Sequence, residues 1–189
     1  KLFTDFELST AVMNADDIRL ATTEITDAEV IDFGKKAKIL KVMNMTLTPT
    51  GQTVQCELSG KQVMIKIPLV GWFQVMNVLA TLGLLQGVGI ELERLLPLIP
   101  QLKGVRGRLE NVATTQHGAA IYVDYAHTPA ALENILKTRR PHTQNKLHVV
   151  FGCGGDRDKG KRPLMAQAAC EQRAGYCRAS SLTAVPWQF

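Results

Sequence analysis

The sequence has few residues of the kinds that bind metals or form disulfides. Only four cysteines and four histidines occur among 189 residues, and both are dispersed along the chain. No two cysteines have the CxxC spacing of a zinc or redox site, and the histidines show no metal-ligand spacing. We therefore predict no metal ligands and no disulfide framework. Reduced thiols are normal in the cytosol, so we expect a cytoplasmic protein.

Long apolar runs and blocks of one charge are also missing. The longest apolar stretch, residues 72–85, is interrupted by Gln74 and Asn77 and is too short to cross a bilayer. No segment resembles a signal peptide. The net charge is +5, but lysines and arginines are scattered, and no basic stripe is interleaved with aromatic residues. We expect no membrane and no nucleic-acid partner, and the positive charge suits small anionic ligands.

The first half of the chain carries patterns of both strands and helices. A strand is predicted around residues 11–13, and the segment 14–17, rich in Asn and Asp, can cap a following helix. Residues 38–70 predict a β-meander, because apolar and polar residues alternate between turns. Residues 72–86 and 91–99 are predicted helices with buried apolar positions. This half therefore predicts a sheet covered by helices.

The second half continues the alternation of strands and helices. A hairpin is predicted from residue 109 to 125, and its run Ile121–Val123 is apolar on both faces, as an inner strand would be. Thr128 followed by Pro129 is typical of a helix start. A further strand is predicted over residues 147–151. With 189 residues, the chain can bury one core or parts of two, and its class is α/β.

A glycine-rich, charge-dense loop follows that last strand. Residues 151–165 read FGCGGDRDKGKRPLM, a strand end leading through the loop into a helix. Such loops at the carboxyl ends of strands commonly bind small anions. The segment from Gly155 contains GxxxxGK, but Arg162 stands where a P-loop has Ser or Thr. A solvated turn of alternating charge is the structural alternative, and the loop alone leaves both possibilities open.

Three motifs in order resemble the Mur ligases, and the resemblance is greatest to the MurE type. They are GRLE at residues 107–110, VDYAHTP at residues 123–129 and the loop FGCGGDRDKGKRPLM. The resemblance runs from Leu2 to about Ala169. It implies the C-terminal part of a central ATP-binding domain, residues 1–108, followed by the start of a Rossmann-like C-terminal, amino-acid-binding domain, residues 109–172. Residues 173–189 lose the resemblance, and we expect them to be an aberrant, disordered tail.

The resemblance also implies binding residues. The implied nucleotide contacts are Asn77, Arg108, Asp124 and His127. Asp124 would hold the ribose hydroxyls, Arg108 would contact the phosphates or the ribose, and His127 would lie beside the phosphates. Gln74 stands where the family has a first asparagine, which changes the reach of that amide. Arg157 would bind a carboxylate of an incoming diamino acid, a task that suits the guanidinium fork. No residue is assigned as catalytic or as a metal ligand.

The implied activity is that of an ATP-dependent, amide-forming ligase of peptidoglycan synthesis. Mur ligases of the MurE type add the third amino acid to UDP-N-acetylmuramoyl-L-alanyl-D-glutamate through an acyl phosphate, with ATP and Mg²⁺ as cofactors. We expect meso-diaminopimelate rather than lysine as that amino acid, and a monomer. Such an enzyme serves cell-wall biogenesis, and with it cell shape and cell division.

Other interpretations of the sequence remain open. No GTNGKT-like P-loop occurs in it. We therefore expect an internal fragment of such a ligase that is inactive alone. The alternative is a non-catalytic remnant that still binds a nucleotide or an amino acid, and a third possibility is a degraded gene product without a function of its own.

Overall fold

The computed structural model describes residues 7–152, 160–172 and 174–180, the last range by its backbone only. The chain divides into two compact units, Lys1–Lys103 (unit 1) and Gly104–Phe189 (unit 2). This division falls in the polar stretch that precedes the GRLE motif. The domain boundary at residue 108 stays a prediction. In the described part of the chain, no helix is long and apolar enough to span a membrane.

Unit 1 is built on a five-stranded mixed sheet with the strands in sequence order. The strands are β1 (Thr10–Asn14), β2 (Glu29–Gly34), β3 (Leu40–Thr48), β4 (Gly51–Leu58) and β5 (Lys61–Ile67). The first three strands pair in parallel, and β3 to β5 form an antiparallel meander. The predicted first strand and the predicted meander are thus confirmed. The short helix α1 (Ile18–Ala21) follows β1, and its N-cap is Asp17, as the Asn/Asp-rich segment predicts.

The helix α2 (Trp72–Gly87) covers this sheet, followed by α3 (Leu92–Leu95) and a 3₁₀ segment (Leu96–Gln101). Leu79 on α2 is 1% exposed and belongs to the same core cluster as Ile31 and Leu40 of the sheet. Burying a side chain of this size contributes about 1.5–3 kcal/mol. Gly83 allows the close approach, because a Cβ there would lie 2.8 Å from Cγ1 of Val12. The apolar face predicted for residues 72–86 is therefore the face that attaches α2 to the sheet.

Unit 2 opens with a hairpin of β6 (Glu110–Thr114) and β7 (Ala120–Val123). The helix α4 (Pro129–Arg139) begins where Thr128 and Pro129 predict, and Oγ1 of Thr128 accepts a hydrogen bond from the amide of Ala131 (3.3 Å). A 3₁₀ turn (Arg140–His142), the strand β8 (Leu147–Gly152) and the helix α5 (Lys161–Glu171) follow. The core of this unit comprises Leu132, Leu136, Phe151, Met165 and Ala169.

Two expectations for unit 2 require correction. In the described part of the chain, β7 pairs only with β6, and Ile121 and Val123 are 45% and 43% exposed. The run that predicted an inner strand is therefore one side of a two-stranded hairpin. Residues 174–180, expected in the disordered tail, form the strand β9, which pairs in parallel with β8. Backbone pairing beside an existing strand needs no alternating side-chain pattern. Residues 181–189 lie outside the described residues.

Candidate functional site

The GRLE motif forms a tight loop around Arg108. On each side of Arg108, a backbone amide donates a hydrogen bond to a carboxylate. The amide of Gly107 donates to Oε2 of Glu110 (2.7 Å), and the amide of Leu109 donates to Oδ2 of Asp124 (2.8 Å). The amide of Arg108 itself donates to the carbonyl of Val105 (3.0 Å). Three consecutive amides are thus occupied, which fixes the point at which the Arg108 side chain leaves the backbone.

This loop contains unusual backbone conformations on both sides of Arg108. Gly107 has φ 66° and Leu109 has φ 43°. A left-handed conformation costs a residue with a Cβ roughly 1–2 kcal/mol, so Leu109 needs compensating contacts. The charge-assisted hydrogen bond from its amide to Asp124 is such a contact. A strained residue beside a predicted ligand-binding arginine is consistent with a functional loop.

Asp124 connects the GRLE loop to the loop that follows β7. Its Oδ2 accepts the amide of Leu109 (2.8 Å), and its Oδ1 accepts the amide of Ala126 (2.7 Å). The carboxylate is half-buried. A carboxylate has about four acceptor positions, so roughly two remain for other donors. Asp124 can therefore hold both loops and still accept hydroxyl groups from a ligand.

Arg108, Tyr125 and His127 form a cluster on the surface of unit 2. The Arg108 guanidinium lies 5.2 Å from the centre of the Tyr125 ring, and the His127 ring meets the same ring edge-on, also at 5.2 Å. Nδ1 of His127 lies 3.1 Å from the carbonyl of Tyr125. A carbonyl only accepts, so Nδ1 is the donor, and Nε2 is left for another partner. Arg108, Tyr125 and His127 are all exposed.

The structure therefore brings together three of the four predicted nucleotide contacts: Arg108, Asp124 and His127. Among the described residues, no carboxylate forms an ion pair with Arg108. An arginine and a histidine that contact the same tyrosine ring, close in the fold to a carboxylate, can bind an anionic group and a neighbouring hydroxyl-bearing group. The sequence reasoning missed Tyr125 and Glu110, although both lie inside the motifs that it used.

Asn77, the fourth predicted nucleotide contact, lies on α2 in unit 1. It is exposed and lines a cavity of about 320 Å³ together with Gln74 and Thr81. Most of the cavity wall is apolar and includes Leu82, Leu95 and Ile99. The Thr81 hydroxyl donates to the backbone carbonyl of Asn77 (2.8 Å). This bond therefore does not involve the side-chain amide of Asn77. Apolar walls with a few amide groups suit a flat heteroaromatic ring.

Arg157, the predicted contact for a diamino acid, lies outside the described residues. The described structure on either side is β8, which ends at Gly152, and α5, which begins at Lys161. The strand and the helix that the sequence predicted around this loop are therefore present. The contact assigned to Arg157 stays a prediction.

Comparison with protein families decides the relationship. A family model described as the Mur ligase middle domain matches residues 1–85, and one described as the Mur ligase glutamate ligase domain matches residues 107–180. The two matches cover most of the chain. It belongs to the Mur ligase family. The predicted fold class, the later part of a Mur ligase central domain followed by the start of the C-terminal domain, is thereby confirmed.

Individual relatives agree with this assignment. The chain is 42% identical over 165 residues to a UDP-N-acetylmuramoyl-L-alanyl-D-glutamate--2,6-diaminopimelate ligase of Zymomonas mobilis, covering 85% of this chain and 34% of the relative. It is also 42% identical over 159 residues to the ligase of the same name from Caulobacter vibrioides, covering 82% of this chain and 33% of the relative. The chain thus spans about a third of the length of the curated relatives it matches.

A solved structure of a ligase with this name is similar in three dimensions. The TM-score is 0.71 with 33% sequence identity, and the match covers 89% of this chain and 36% of the other. Within this Mur ligase chain, Asn77 falls in the part matched by the middle-domain model. Arg108, Asp124, His127 and Arg157 fall in the part matched by the glutamate ligase model.

The family implies two ligands, a nucleotide and magnesium, and the described residues suit only the first. The arginine, histidine and half-used carboxylate of unit 2 suit a nucleotide, because they pair an anion site with hydroxyl acceptors. For magnesium, the described part of the chain contains no group of three or more His, Cys, Asp or Glu side chains that could hold a metal ion. We therefore assign no residue of this chain to magnesium.

Proposed function

We propose that this chain is part of an ATP-dependent ligase that adds meso-diaminopimelate to UDP-N-acetylmuramoyl-L-alanyl-D-glutamate during peptidoglycan synthesis. The relatives named above carry this activity in their names. The observation that carries the proposal for this chain is the grouping of Arg108, Asp124 and His127 around one loop pair in unit 2. The activity belongs to the intact cytoplasmic enzyme, which acts on small-molecule substrates as a monomer.

The proposed reaction has two steps. The γ-phosphoryl group of ATP passes to the glutamate carboxylate, giving an acyl phosphate and ADP. The diaminopimelate amine then attacks the acyl carbon, and inorganic phosphate leaves as the amide forms. Both steps need positive charge near phosphate oxygens and close positioning of two weakly reactive partners. Magnesium supplies charge neutralisation at the phosphates when it is bound.

The residues of unit 2 have separate roles in this proposal. The Arg108 guanidinium binds phosphate oxygens through its donor fork, and Asp124 accepts the ribose hydroxyls with the acceptor positions that its backbone bonds leave open. His127 donates from Nδ1 to the Tyr125 carbonyl, so its imidazolium form can donate from Nε2 to a phosphate. Together these groups hold a nucleotide by its sugar and its phosphates.

Two further contacts complete the proposal. Asn77 contacts the nucleotide base from the apolar cavity of unit 1, where Gln74 offers a second amide. Arg157 binds a carboxylate of the diamino acid, since a guanidinium pairs with a carboxylate through two parallel hydrogen bonds. The first contact is supported by the lining of the cavity. The second is supported by the place of Arg157 in the sequence between β8 and α5.

Calorimetric titration of the 189-residue chain with ADP tests the nucleotide site. We expect binding, and we expect Asp124→Ala and Arg108→Ala each to weaken it roughly tenfold or more, because each removes hydrogen bonds to a charged group. Asp27→Ala is the matched control, since this exposed carboxylate lies in unit 1 and accepts a hydrogen bond from the hydroxyl of its neighbour Thr26. Absence of ADP binding, or equal binding by all variants, would contradict the proposed site.

A second measurement separates the ligase from the non-catalytic alternative. Phosphate release is followed in the presence of ATP, UDP-N-acetylmuramoyl-dipeptide and diaminopimelate. The 189 residues contain no P-loop sequence, so we expect no sustained release from them alone. A full-length relative into which these residues are exchanged is expected to turn over. Arg157→Ala in that enzyme should raise the KM for diaminopimelate far more than the KM for ATP.

A further inference from the structure

The Arg108 backbone is fixed, but its side chain is long and exposed. The amides of residues 107, 108 and 109 are all hydrogen-bonded, so the loop itself has little freedom. No described carboxylate forms an ion pair with the guanidinium. An unrestrained arginine side chain loses up to about 2 kcal/mol of rotamer entropy when a ligand orders it. Any contact that orders it beforehand would therefore favour binding.

The Tyr125 ring supplies a contact of this kind. The guanidinium carbon of Arg108 lies 5.2 Å from the ring centre, within the range of a cation–π interaction. Tyr125 is 66% exposed, so its ring is not buried as part of a hydrophobic core. The exposed ring is therefore accessible to the exposed guanidinium of Arg108.

The same ring also contacts His127. The two rings meet at an interplanar angle of 67° with their centres 5.2 Å apart, which is the preferred edge-to-face arrangement. The Tyr125 carbonyl additionally accepts the Nδ1 proton of His127. One residue therefore restrains both side chains that the proposed function places beside the phosphates.

We propose that Tyr125 is a positioning residue that orders Arg108 and His127 around one phosphate-binding point. This inference rests on the proposed function, since it assumes that the two side chains bind phosphate groups. It assigns to Tyr125 a role that acts through its neighbours and requires the aromatic ring but not the hydroxyl. The role predicts that Tyr125 affects binding of the phosphate groups and has no effect on binding of the base.

The test uses the 189-residue chain with three probes: ADP, inorganic tripolyphosphate and adenosine. We expect Tyr125→Leu to weaken both ADP and tripolyphosphate by about three- to tenfold, the value of an exposed or partly desolvated cation–π contact. Tyr125→Phe keeps the ring and is expected to bind as the parent chain does. Adenosine binding should not change in either variant. Thermal unfolding of both variants should match the parent, because the side chain is exposed.

A double-mutant cycle separates positioning from direct contact. In an Arg108→Ala background, Tyr125→Leu should weaken tripolyphosphate binding clearly less than in the parent, since one of its two targets is gone. Equal losses in both backgrounds, or weaker ADP binding with unchanged tripolyphosphate binding, would show that Tyr125 contacts the ligand directly and would overturn the inference. If the parent chain binds none of the probes, the proposed function fails together with the inference. If it binds them and Tyr125→Leu binds equally well, only the inference fails.

Discussion

The two units of this chain differ in the size of their described apolar cores. In the described residues of unit 1, fifteen buried hydrophobic side chains from the sheet, α2, α3 and the 3₁₀ segment form one cluster. In the described part of unit 2, the corresponding cluster has five members, and the hairpin exposes Ile121 and Val123. Carboxylates that accept hydrogen bonds from backbone amides tie loops in both units: Asp16 and Asp32 in unit 1, and Glu110 and Asp124 in unit 2. Apolar burial dominates unit 1, and directed polar contacts shape the candidate site of unit 2.

The smaller described core of unit 2 fits the location of most of the predicted ligand-binding groups. A closely packed core tolerates little change in shape, so it provides a scaffold rather than a site. Loops fixed by hydrogen bonds can leave charged side chains exposed while keeping their backbone in place. Arg108 and His127 are such side chains. The one apolar cavity described above for unit 1 lies at the edge of its core, where Asn77 is exposed.

Truncation of a core side chain should have the largest effect on stability. We expect Leu79→Ala to lower the free energy of unfolding of unit 1 by about 2–5 kcal/mol, because Leu79 is 1% exposed in the larger cluster. Urea unfolding followed by circular dichroism measures the loss. Leu84→Ala on the same helix is the control, since Leu84 is 60% exposed and its truncation should cost less than about 0.5 kcal/mol. Equal losses for the two variants would contradict the described packing of α2.

Removal of a helix cap in unit 2 should have a smaller effect. The Thr128 hydroxyl accepts the amide of Ala131 at the start of α4, and Thr128→Ala should cost about 0.5–2 kcal/mol. Thr128→Ser keeps the hydroxyl and should lose much less. Amide hydrogen exchange of the first turn of α4 distinguishes the variants, because only the alanine variant should exchange faster there. Equal exchange rates in the Thr128→Ser and Thr128→Ala variants would contradict a stabilising role of the Thr128 hydroxyl.

The chemical reactivity of the cysteines tests the comparison without any mutation. Burial raises the pKa of Cys56 in the unit 1 core to about 11, whereas Cys170 on α5 is exposed. The reactive thiolate of Cys56 is therefore scarce at pH 8 and increases only as the pH approaches 11. We expect iodoacetamide at pH 8 to modify Cys170 before Cys56, as followed by peptide mass spectrometry. Rapid modification of Cys56 in the folded chain would mean that the core of unit 1 opens readily.

The sequence predicted regular elements well because their signals are local. Alternation at Val63, Ile65 and Ile67 predicted β5, and the pair Thr128 and Pro129 predicted the start of α4. The run Ile121–Val123 misled because an apolar strand has the same sequence in a hairpin as in a central sheet position. Its pairing depends on partners that are distant in the sequence. The strand β9 was missed for the same reason, since its hydrogen bonds come from β8.

Three residues of the candidate site were predicted from the sequence, but its geometry was not. The motifs identified Arg108, Asp124 and His127, yet no pattern shows that Asp124 already accepts two backbone amides. The left-handed backbone of Leu109 is equally invisible, because leucine rarely adopts it. Tyr125 lies within the VDYAHTP motif. Its contacts with Arg108 and His127 form only when the GRLE loop and the loop after β7 are folded together.

The hydrogen bond between the Leu109 amide and Asp124 links the effects of substitutions at Asp124 and Arg108. Leu109 keeps an unfavourable backbone angle only while that carboxylate holds it. Removing this hydrogen bond, as in Asp124→Ala, would let the loop relax and would displace the Arg108 side chain. One substitution would therefore remove the contribution of two residues to binding. The loss of binding measured for Asp124→Ala will then include part of the contribution of Arg108. The losses of the two single variants, Asp124→Ala and Arg108→Ala, should therefore sum to more than the loss of the double variant.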